Sequence, residues 1–592
     1  MTPPESTRDQ QLAQATNAHQ QGNFHAAEAL YRQLLDSHQD DNVGYLLGTL
    51  LLQKGDAALA VEHLKPIAER HPESTDLHNN LGVAYQTLNQ RQEAVKAFQA
   101  SLKADQNYPQ GWQNLGKLLF EMKHVREAEK CYREAVRLLP DDQACRQDWI
   151  QALITTEQWI EAAQEIEKLL QQKDLNSETE IEWKTQAAFV QAQMHNYVEA
   201  TRLSEEVQAR QPENITILAN LSYLYEHIGE IDKAIAAGLE AQDKAPHSAE
   251  IANNLGVAYR SAHRMDEALA AFSKSIELNP DLPLATFNRG STLLLTENYQ
   301  AGWVDYERRL SLIPQPEELN GLKRWSGEKI SGQKLLIVCD QGFGDLLMFA
   351  RFLPLIRERS DAVTIFWAPP EMLRLLNASR VEGLPLADIF VSEDEPLPQA
   401  DCMFPLMSAA SQFDLEIEGI GMQNSYLQSP ENPQIIKWLE STSVNSQKTV
   451  GLCWRGNAAQ AQDHVRTMTL ETLFPLSEIP GIRWVSLQMD ADENELETWP
   501  GEIIPAKDHV KDFADTAAIL QEIDLLITVD TAICHLAGAM QRPVWNMLPH
   551  TPDWRWHLNR KDSPWYPSMQ LYRQAEWGKW KSVVEKLAAD LQ

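Results

Sequence analysis

No stretch of this chain approaches the roughly 20 consecutive apolar residues that a membrane-spanning helix needs, so no insertion into a bilayer is expected. The start, MTPPESTRDQQ, lacks the basic segment and apolar core of a secretory signal. Cysteine is sparse: Cys131, Cys145, Cys339, Cys402, Cys453 and Cys534 are scattered, with no C-x-x-C pair. That spacing excludes a zinc ribbon and a disulfide scaffold, and free thiols without a signal point to the cytoplasm. Positive charge is short as well, with 52 basic against 84 acidic residues and a formal net charge of −32. So acidic a chain is poorly suited to gripping a nucleic-acid backbone or an anionic membrane. There is no G-x-x-x-x-G-K-[ST], so no P-loop is expected. Hydrophobic residues make up 43% of the 592, which excludes a mainly disordered chain.

What is present first is a period. Gly48, Gly82 and Gly116 stand 34 residues apart, and Ile150 takes the next position. Ala188 follows after 38, which places four extra residues within 171–180; Ser222, Gly256 and Gly290 then resume the step of 34. Ala60, Ala94, Ala128 and Ala162 keep the same period, as do Ala200, Ala234 and Ala268, while Pro212, Pro246, Pro280 and Pro314 close successive units. Each unit reads as two helices, with small residues where they cross and a proline ending the second. The pattern resembles the tetratricopeptide repeat family, whose period is about 34 residues. The resemblance implies an α-solenoid of about nine units over 7–314, the first and fifth degenerate, with a concave binding face.

Two residues before the marker position lie Asn80, Asn114, Asn220, Asn254 and Asn288, with Asp148 and Gln186 in the same slot of other units. A carboxamide is both donor and acceptor, so a row of them suits the backbone of an extended acceptor peptide. The row resembles the asparagine ladder of the eukaryotic O-GlcNAc transferases. The alternative is that each asparagine ties neighbouring helices together, and the sequence leaves both readings open.

Composition changes after 314. A Pro- and Gly-containing linker over 315–332 leads into KLLIVCD, a continuous apolar run of the kind found in buried parallel strands. AVTIFWA, TVGLCW, IRWVSLQ, DLLITVD and RPVWNML follow, separated by helical patterns. Such alternation implies doubly wound α/β sheets. We read two Rossmann-like lobes in a GT-B arrangement, 333–435 and 447–592, joined through the polar segment 429–447.

The first strand runs into DQGFGDLLMFARFLP, where Gly342 and Gly344 allow a helix N-terminus to approach a ligand. The third glycine of a dinucleotide fingerprint is replaced by Leu347, so no NAD is expected. Asp345 sits where ligands of open sheets bind. Its carboxylate suits a general base or a helix cap. In the second lobe VGLCWRGN supplies Trp454, Arg455 and Asn457, and Arg466 follows in a polar loop. A guanidinium fork matches a diphosphate or an acidic sugar, the alternative for either arginine being a surface ion pair. Gln488, at the end of a strand, is placed to flank a nucleotide. The segment ITVDTAICHLAGA carries a strand into a helix through Asp530, Thr531 and Ala532, a turn whose N–H groups and helix dipole favour an anion. His535 lies one turn further on and is read as structural or donor-facing. Asp490 and Asp492 form a D-x-D that reads as a solvated acidic loop, not a metal site.

These motifs together resemble the heptosyltransferase-like glycosyltransferases of bacteria over about 330–592. In that family the G-x-G-D aspartate is taken as general base and the D-T-x-x-x-H-L-A-G-A helix holds the donor phosphate, without a metal. The resemblance therefore implies Asp345 as catalytic. It implies a donor site of Gly342, Gly344, Trp454, Arg455, Asn457, Arg466, Gln488, Asp530, Thr531, Ala532 and His535. No cofactor is expected beyond the nucleotide-sugar substrate. Leu346 and Leu347 stand where those enzymes carry a hydroxyl residue, which argues against heptose transfer to a lipid core. Repeats followed by a lobe pair ending in PDWRW and SPWYP look like the bacterial repeat-containing glycosyltransferases, some of which modify flagellin. The expectation is a cytoplasmic protein O-glycosyltransferase whose repeats hold Asn80, Asn114, Asn220, Asn254 and Asn288 to the acceptor. Transfer to a lipid or oligosaccharide and a non-catalytic repeat scaffold are the alternatives.

Overall fold

The computed structural model describes residues 5–37, 40–171, 175–415, 425–442, 448–457 and 463–592. The chain divides into two compact units, Met1–Arg210 and Gln211–Gln592. The first holds six helical hairpins: Glu5–Gln20 with Phe24–Ser37, Asp41–Gln53 with Ala57–Arg70, Thr75–Thr87 with Arg91–Ala104, Pro109–Glu121 with Val125–Leu138, Gln143–Thr155 with Trp159–Leu170, and Ser177–Gln193 with Tyr197–Arg210. The longer connection falls between Leu170 and Ser177; residues 172–174 within it lie outside the described part. Three more hairpins open the second unit: Ile215–His227 with Ile231–Lys244, Ala249–Ser261 with Met265–Leu278, and Pro283–Leu295 with Tyr299–Tyr306.

Two sequence features fix these hairpins. Each turn places one residue at positive φ: Gly22, Gly55, Asn89, Lys123, Glu157, His195, Gly229, His263 and Glu297. Glycine adopts this region freely, and the others give up about 1 kcal/mol each. The marker position is where the second helix crosses the first. A Cβ on Gly82 would stand 2.5 Å from Phe98, one on Gly116 2.9 Å from Tyr132, and one on Gly256 2.5 Å from Phe272, in each case sixteen residues on. In the seventh hairpin the small partner changes sides: Ser222 occupies the marker and Gly238 faces it, its Cβ position 2.8 Å from the Ser222 hydroxyl oxygen.

Among the described residues the rest of the second unit contains thirteen strands: β1 (Lys323–Arg324), β2 (Lys334–Val338), β3 (Val363–Ala368), β4 (Arg380–Val381), β5 (Leu384–Pro385), β6 (Ile389–Ser392), β7 (Cys402–Pro405), β8 (Lys448–Cys453), β9 (Ile482–Ser486), β10 (Ile503–Pro505), β11 (Leu525–Val529), β12 (Val544–Leu548) and β13 (Met569–Arg573). They form a parallel sheet β1-β7-β2-β3-β6, a parallel sheet β10-β9-β8-β11-β12-β13, and a small hairpin β4-β5. Numbered from β8, the second sheet reads 3-2-1-4-5-6, the order of a dinucleotide-binding fold, with its topological switch between β8 and β11. The six apolar runs of the sequence correspond to β2, β3, β8, β9, β11 and β12.

The segment expected as a linker is partly built into the first sheet. Lys323 and Arg324 pair in parallel with Cys402 and Met403, and Trp325 packs edge-on against Phe404 at 5.0 Å. A short helix, Pro433–Ser441, lies in the expected join; residues 443–447 are outside the described part. One apolar core runs from Tyr299, Trp303 and Tyr306 of the last hairpin through Phe349 and Phe366 to Leu536, Trp554, Trp556 and Trp565. The last repeat and both sheets thus share buried surface.

Candidate active site

Two helix N-termini meet face to face. One is the short helix Phe343–Phe349, reached from β2 through Gly342; the other is Ala532–Ala539, reached from β11 through Asp530 and Thr531. Gly344 is the contact point. A Cβ there would stand 3.0 Å from His535 Cδ2 and 3.7 Å from the Ala532 Cα. The glycine is required for this approach, not for an unusual φ. Neither helix has a side-chain cap; the Thr531 hydroxyl turns back to the Val529 carbonyl at 3.3 Å. The first N–H groups of Ala532–Ala539 therefore remain available to an anion.

Asp345 lies in the first turn of its helix and pairs with Arg555. Arg555 also binds Asp553 at 2.5 Å and stacks over Trp554 at 4.2 Å. Burial raises the Asp345 pKa, Arg555 opposes the rise, and Asp553 adds to it. Burial thus makes the carboxyl a better proton acceptor than an exposed aspartate, while the cation beside it favours the ionised form.

Asp530 follows β11. Burial, and then the negative charge of Asp553, push its pKa up to about 6. Its backbone carbonyl accepts a 2.7 Å hydrogen bond from Arg466, whose Nε binds Asp463 at 2.9 Å. Gly456 lies against this pair, and any Cβ there would collide with both side chains. His535 is buried, 3.0 Å from the Tyr566 hydroxyl through Nδ1 and stacked on Trp556. Burial, reinforced by Arg555, Arg351 and Arg466, holds its pKa well below the usual histidine value. Burial thus favours its neutral form.

Asp530, Cys534 and His535 offer ligand atoms within 4.8 Å of one another. Their surroundings fit an anion better than a metal cation. The Cys534 thiol is pushed well above its ordinary pKa by burial, and the three arginines that depress His535 would repel a divalent ion.

Several expected donor residues are placed otherwise. Trp454 is 0% exposed and donates its indole N–H to Glu495 at 3.0 Å, so it has no face on which a base or sugar could stack. Arg455 is gripped by Glu495 through both terminal nitrogens and also faces Asp490 at 3.4 Å; its charge is spent on the protein. Gln488 is buried, its oxygen accepting the N–H groups of Trp454 and Arg455 at 3.0 and 2.9 Å. It braces the turn after β8. Asn457 is exposed at the end of that turn; residues 458–462 beyond it are outside the described part. Asp490 and Asp492 are exposed, and Asp492 caps the helix Glu493–Glu497, as a solvated acidic loop would.

In the repeats, the Asn80 amide donates to the Tyr45 and Thr49 hydroxyls at 3.3 and 3.2 Å, and the Asn114 amide to Asn79 at 2.9 Å. In the second unit Asn254 donates to the Ala219 carbonyl at 3.4 Å and Asn288 to Asn253 at 3.0 Å. Each bond joins a first helix to the first helix of the preceding repeat. Asn220 is exposed.

Sequence reasoning did not reach Arg555, Asp553, Arg351 or Arg309. Arg351 donates to the Tyr426 hydroxyl and the Trp565 carbonyl, both at 3.1 Å, and faces three aromatic rings. Arg309, 1% exposed, binds Asp340 at 2.7 Å just after β2. The available signal was an arginine set among tryptophans in PDWRW.

Comparison with known proteins agrees with this architecture. Tetratricopeptide repeat models match residues 51–118, 109–142 and 249–282, and the model of glycosyltransferase family 9 (heptosyltransferase) matches 510–587. The chain thus carries tetratricopeptide repeats and, over 510–587, a segment that matches the glycosyltransferase family 9 model. It is similar to protein FlbA of Caulobacter vibrioides, 27% identical over 344 residues, which is 53% of this chain and 55% of FlbA. It is also similar to the TPR repeat-containing protein YpiA of Bacillus subtilis, 26% identical over 131 residues, 22% of this chain and 30% of YpiA. The chain thus spans little more than half of one curated relative and under a third of the other. Solved structures similar to it include the APC/C Cut9–Hcn1 hetero-tetramer, at 16% identity and TM-score 0.28 over 50% of this chain and 57% of that one. A tetratricopeptide repeat protein from Parabacteroides merdae matches at 12% identity and TM-score 0.24, over 49% of this chain and 99% of that one.

Proposed function

We propose that the protein is a cytoplasmic, inverting, metal-independent glycosyltransferase that moves a sugar from a nucleotide-sugar donor to Ser or Thr hydroxyls of a protein acceptor recruited by the repeats. Flagellin is the acceptor that the resemblance suggests. The observation that carries this reading is the meeting of Asp345, ion-paired to Arg555, with the uncapped N-terminus of Ala532–Ala539 at Gly344.

In this reading the acceptor hydroxyl attacks the anomeric carbon from the side opposite the phosphate. Its proton passes to the Asp345 carboxylate as the bond to the phosphate oxygen breaks, and the configuration inverts. The leaving phosphate is received by the N–H groups of Ala532–Ala539 and by Arg466. Acceptor capture would draw on oxygen more than nitrogen. The amides of Asn80 and Asn254 already donate to a neighbouring helix, which leaves their carbonyl oxygens to accept peptide N–H groups.

Asp345→Asn tests the base. Transfer is expected to fall by about 10²–10⁴-fold, while nucleotide affinity stays within about twofold. Transfer within a few-fold of wild type would reject the assignment.

A further inference from the structure

The last three repeats pack on the transferase through a row of side chains. His227 stacks on His464 at 5.7 Å, and His263 stacks on His550 at 4.2 Å with a 3° interplanar angle. The Tyr299 hydroxyl binds His557 at 2.9 Å, and Thr551 donates to the Ser261 carbonyl at 3.4 Å. The 549–557 loop, which carries Asp553 and Arg555, is therefore held from the repeat side. One residue before Ser261 is Arg260, in the last turn of the helix Ala249–Ser261.

Arg260 is half-buried; its backbone carbonyl accepts the His263 N–H at 3.0 Å, and among the described residues its side chain makes no hydrogen bond and no ion pair. Its electrostatic neighbours are Glu226 and Asp553. Glu226 is already engaged, accepting from the Ser261 hydroxyl at 2.6 Å and lying 3.0 Å from His227 Nδ1. Asp553 is already paired with Arg555. A cation taken partly out of water without a partner is costly. The same Asp553 charge is felt by Asp345 and Asp530. Arg260 therefore stands beside the loop that carries Asp553 and Arg555, although it comes from a repeat.

We propose that Arg260 is a substrate-binding residue of the transferase site, supplied by the eighth repeat to bind the phosphate oxygens of the nucleotide-sugar donor. The inference rests on the transferase reading above. It makes the repeats part of the donor site as well as a recruiting surface. Its side chain is long and flexible, and its planar fork suits paired oxyanions.

The test is calorimetric titration of the full-length chain with UDP, GDP, ADP and CMP, followed by the best-bound nucleotide and inorganic pyrophosphate on Arg260→Ala and Arg260→Lys. The expected result is a loss of at least about tenfold in affinity for Arg260→Ala, with Arg260→Lys between it and wild type. Arg264→Ala, at an exposed arginine of the same hairpin, serves as the control and should bind as wild type. Unfolding temperatures within a degree or two of wild type confirm that the variants are folded. Wild-type affinity in a folded Arg260→Ala would overturn the proposal and leave the transferase reading standing. No nucleotide binding by the wild-type chain would remove that reading, and the proposal with it.

Discussion

The guanidinium of Arg555 pairs with the carboxylate of Asp345, joining positions 210 residues apart. The pair favours the ionised form of a buried acid next to the N-terminus of a helix that itself favours negative charge. Asp345 has no other ion-pair partner among the described residues.

Removing that cation should therefore change the pH profile as well as the rate. Arg555 holds the Asp345 pKa down against burial. In Arg555→Ala the carboxyl should protonate at higher pH, so the acid limb of the pH–rate profile moves upward. Transfer at neutral pH should drop by at least about 10²-fold. Arg555→Lys should recover part of the rate. Steady-state rates between pH 5 and 9 check this, and an unmoved acid limb would dissociate Arg555 from the base.

Asp530 gives a pH dependence of stability. Its folded pKa of about 6 lies above the unfolded value near 3.8. The folded state binds more protons between these values, so its advantage is present at low pH and is lost as pH rises through about 6. A shift of that size corresponds to roughly 3 kcal/mol. Asp530→Asn should unfold at a higher temperature than wild type at pH 7.5, and the gap should close towards pH 4. Thermal unfolding across that range decides it; a gap independent of pH would refute the assignment.

Arg455 should matter little to the donor. Its two terminal nitrogens are held by Glu495 and Asp490. Nucleotide affinity of Arg455→Ala should stay within about threefold of wild type by titration, while the unfolding temperature falls. A large loss of affinity would show that the arginine leaves Glu495 when donor binds.

Where the chain can be cut follows from the core. Tyr299, Trp303 and Tyr306 are buried with Phe349 and Trp554. A fragment of residues 320–592 would lack these three and uncover Phe349 and Trp554, on which Trp303 packs, at a cost of several kcal/mol per aromatic. It should aggregate or remain partly unfolded, whereas residues 211–592 should fold cooperatively. Circular dichroism and size-exclusion chromatography of the two fragments check this.

The repeats were legible because their determinants are local. The crossing of two helices recurs at a fixed step, and Gly82 with Phe98 or Gly256 with Phe272 repeat one contact. The strand–turn–helix segments at Gly342 and Asp530 were legible for the same reason: an apolar run followed by small residues. What escaped was pairing over distance. Nothing near Arg455 in sequence announces Glu495, and nothing near Asp345 announces Arg555. Trp454 carries the look of a stacking residue, yet it is buried in an apolar cluster with Met468, Leu470 and Leu473, which its own segment does not announce. The edge strand Lys323–Arg324 is two residues long and polar, too short for any periodicity.

The exchange at Ser222 and Gly238 bears on how relatives of this chain should be aligned. This crossing pairs two small residues, and the space that an aromatic fills in the other hairpins is taken by Leu255, 2.7 Å from the Cβ position of Gly238. A profile that scores columns separately penalises such a hairpin twice, although its packing is intact. Restoring the common arrangement one residue at a time would pass through a crossing that is either overfilled or hollow. The two positions are expected to drift only together, as a linked pair in the family's history.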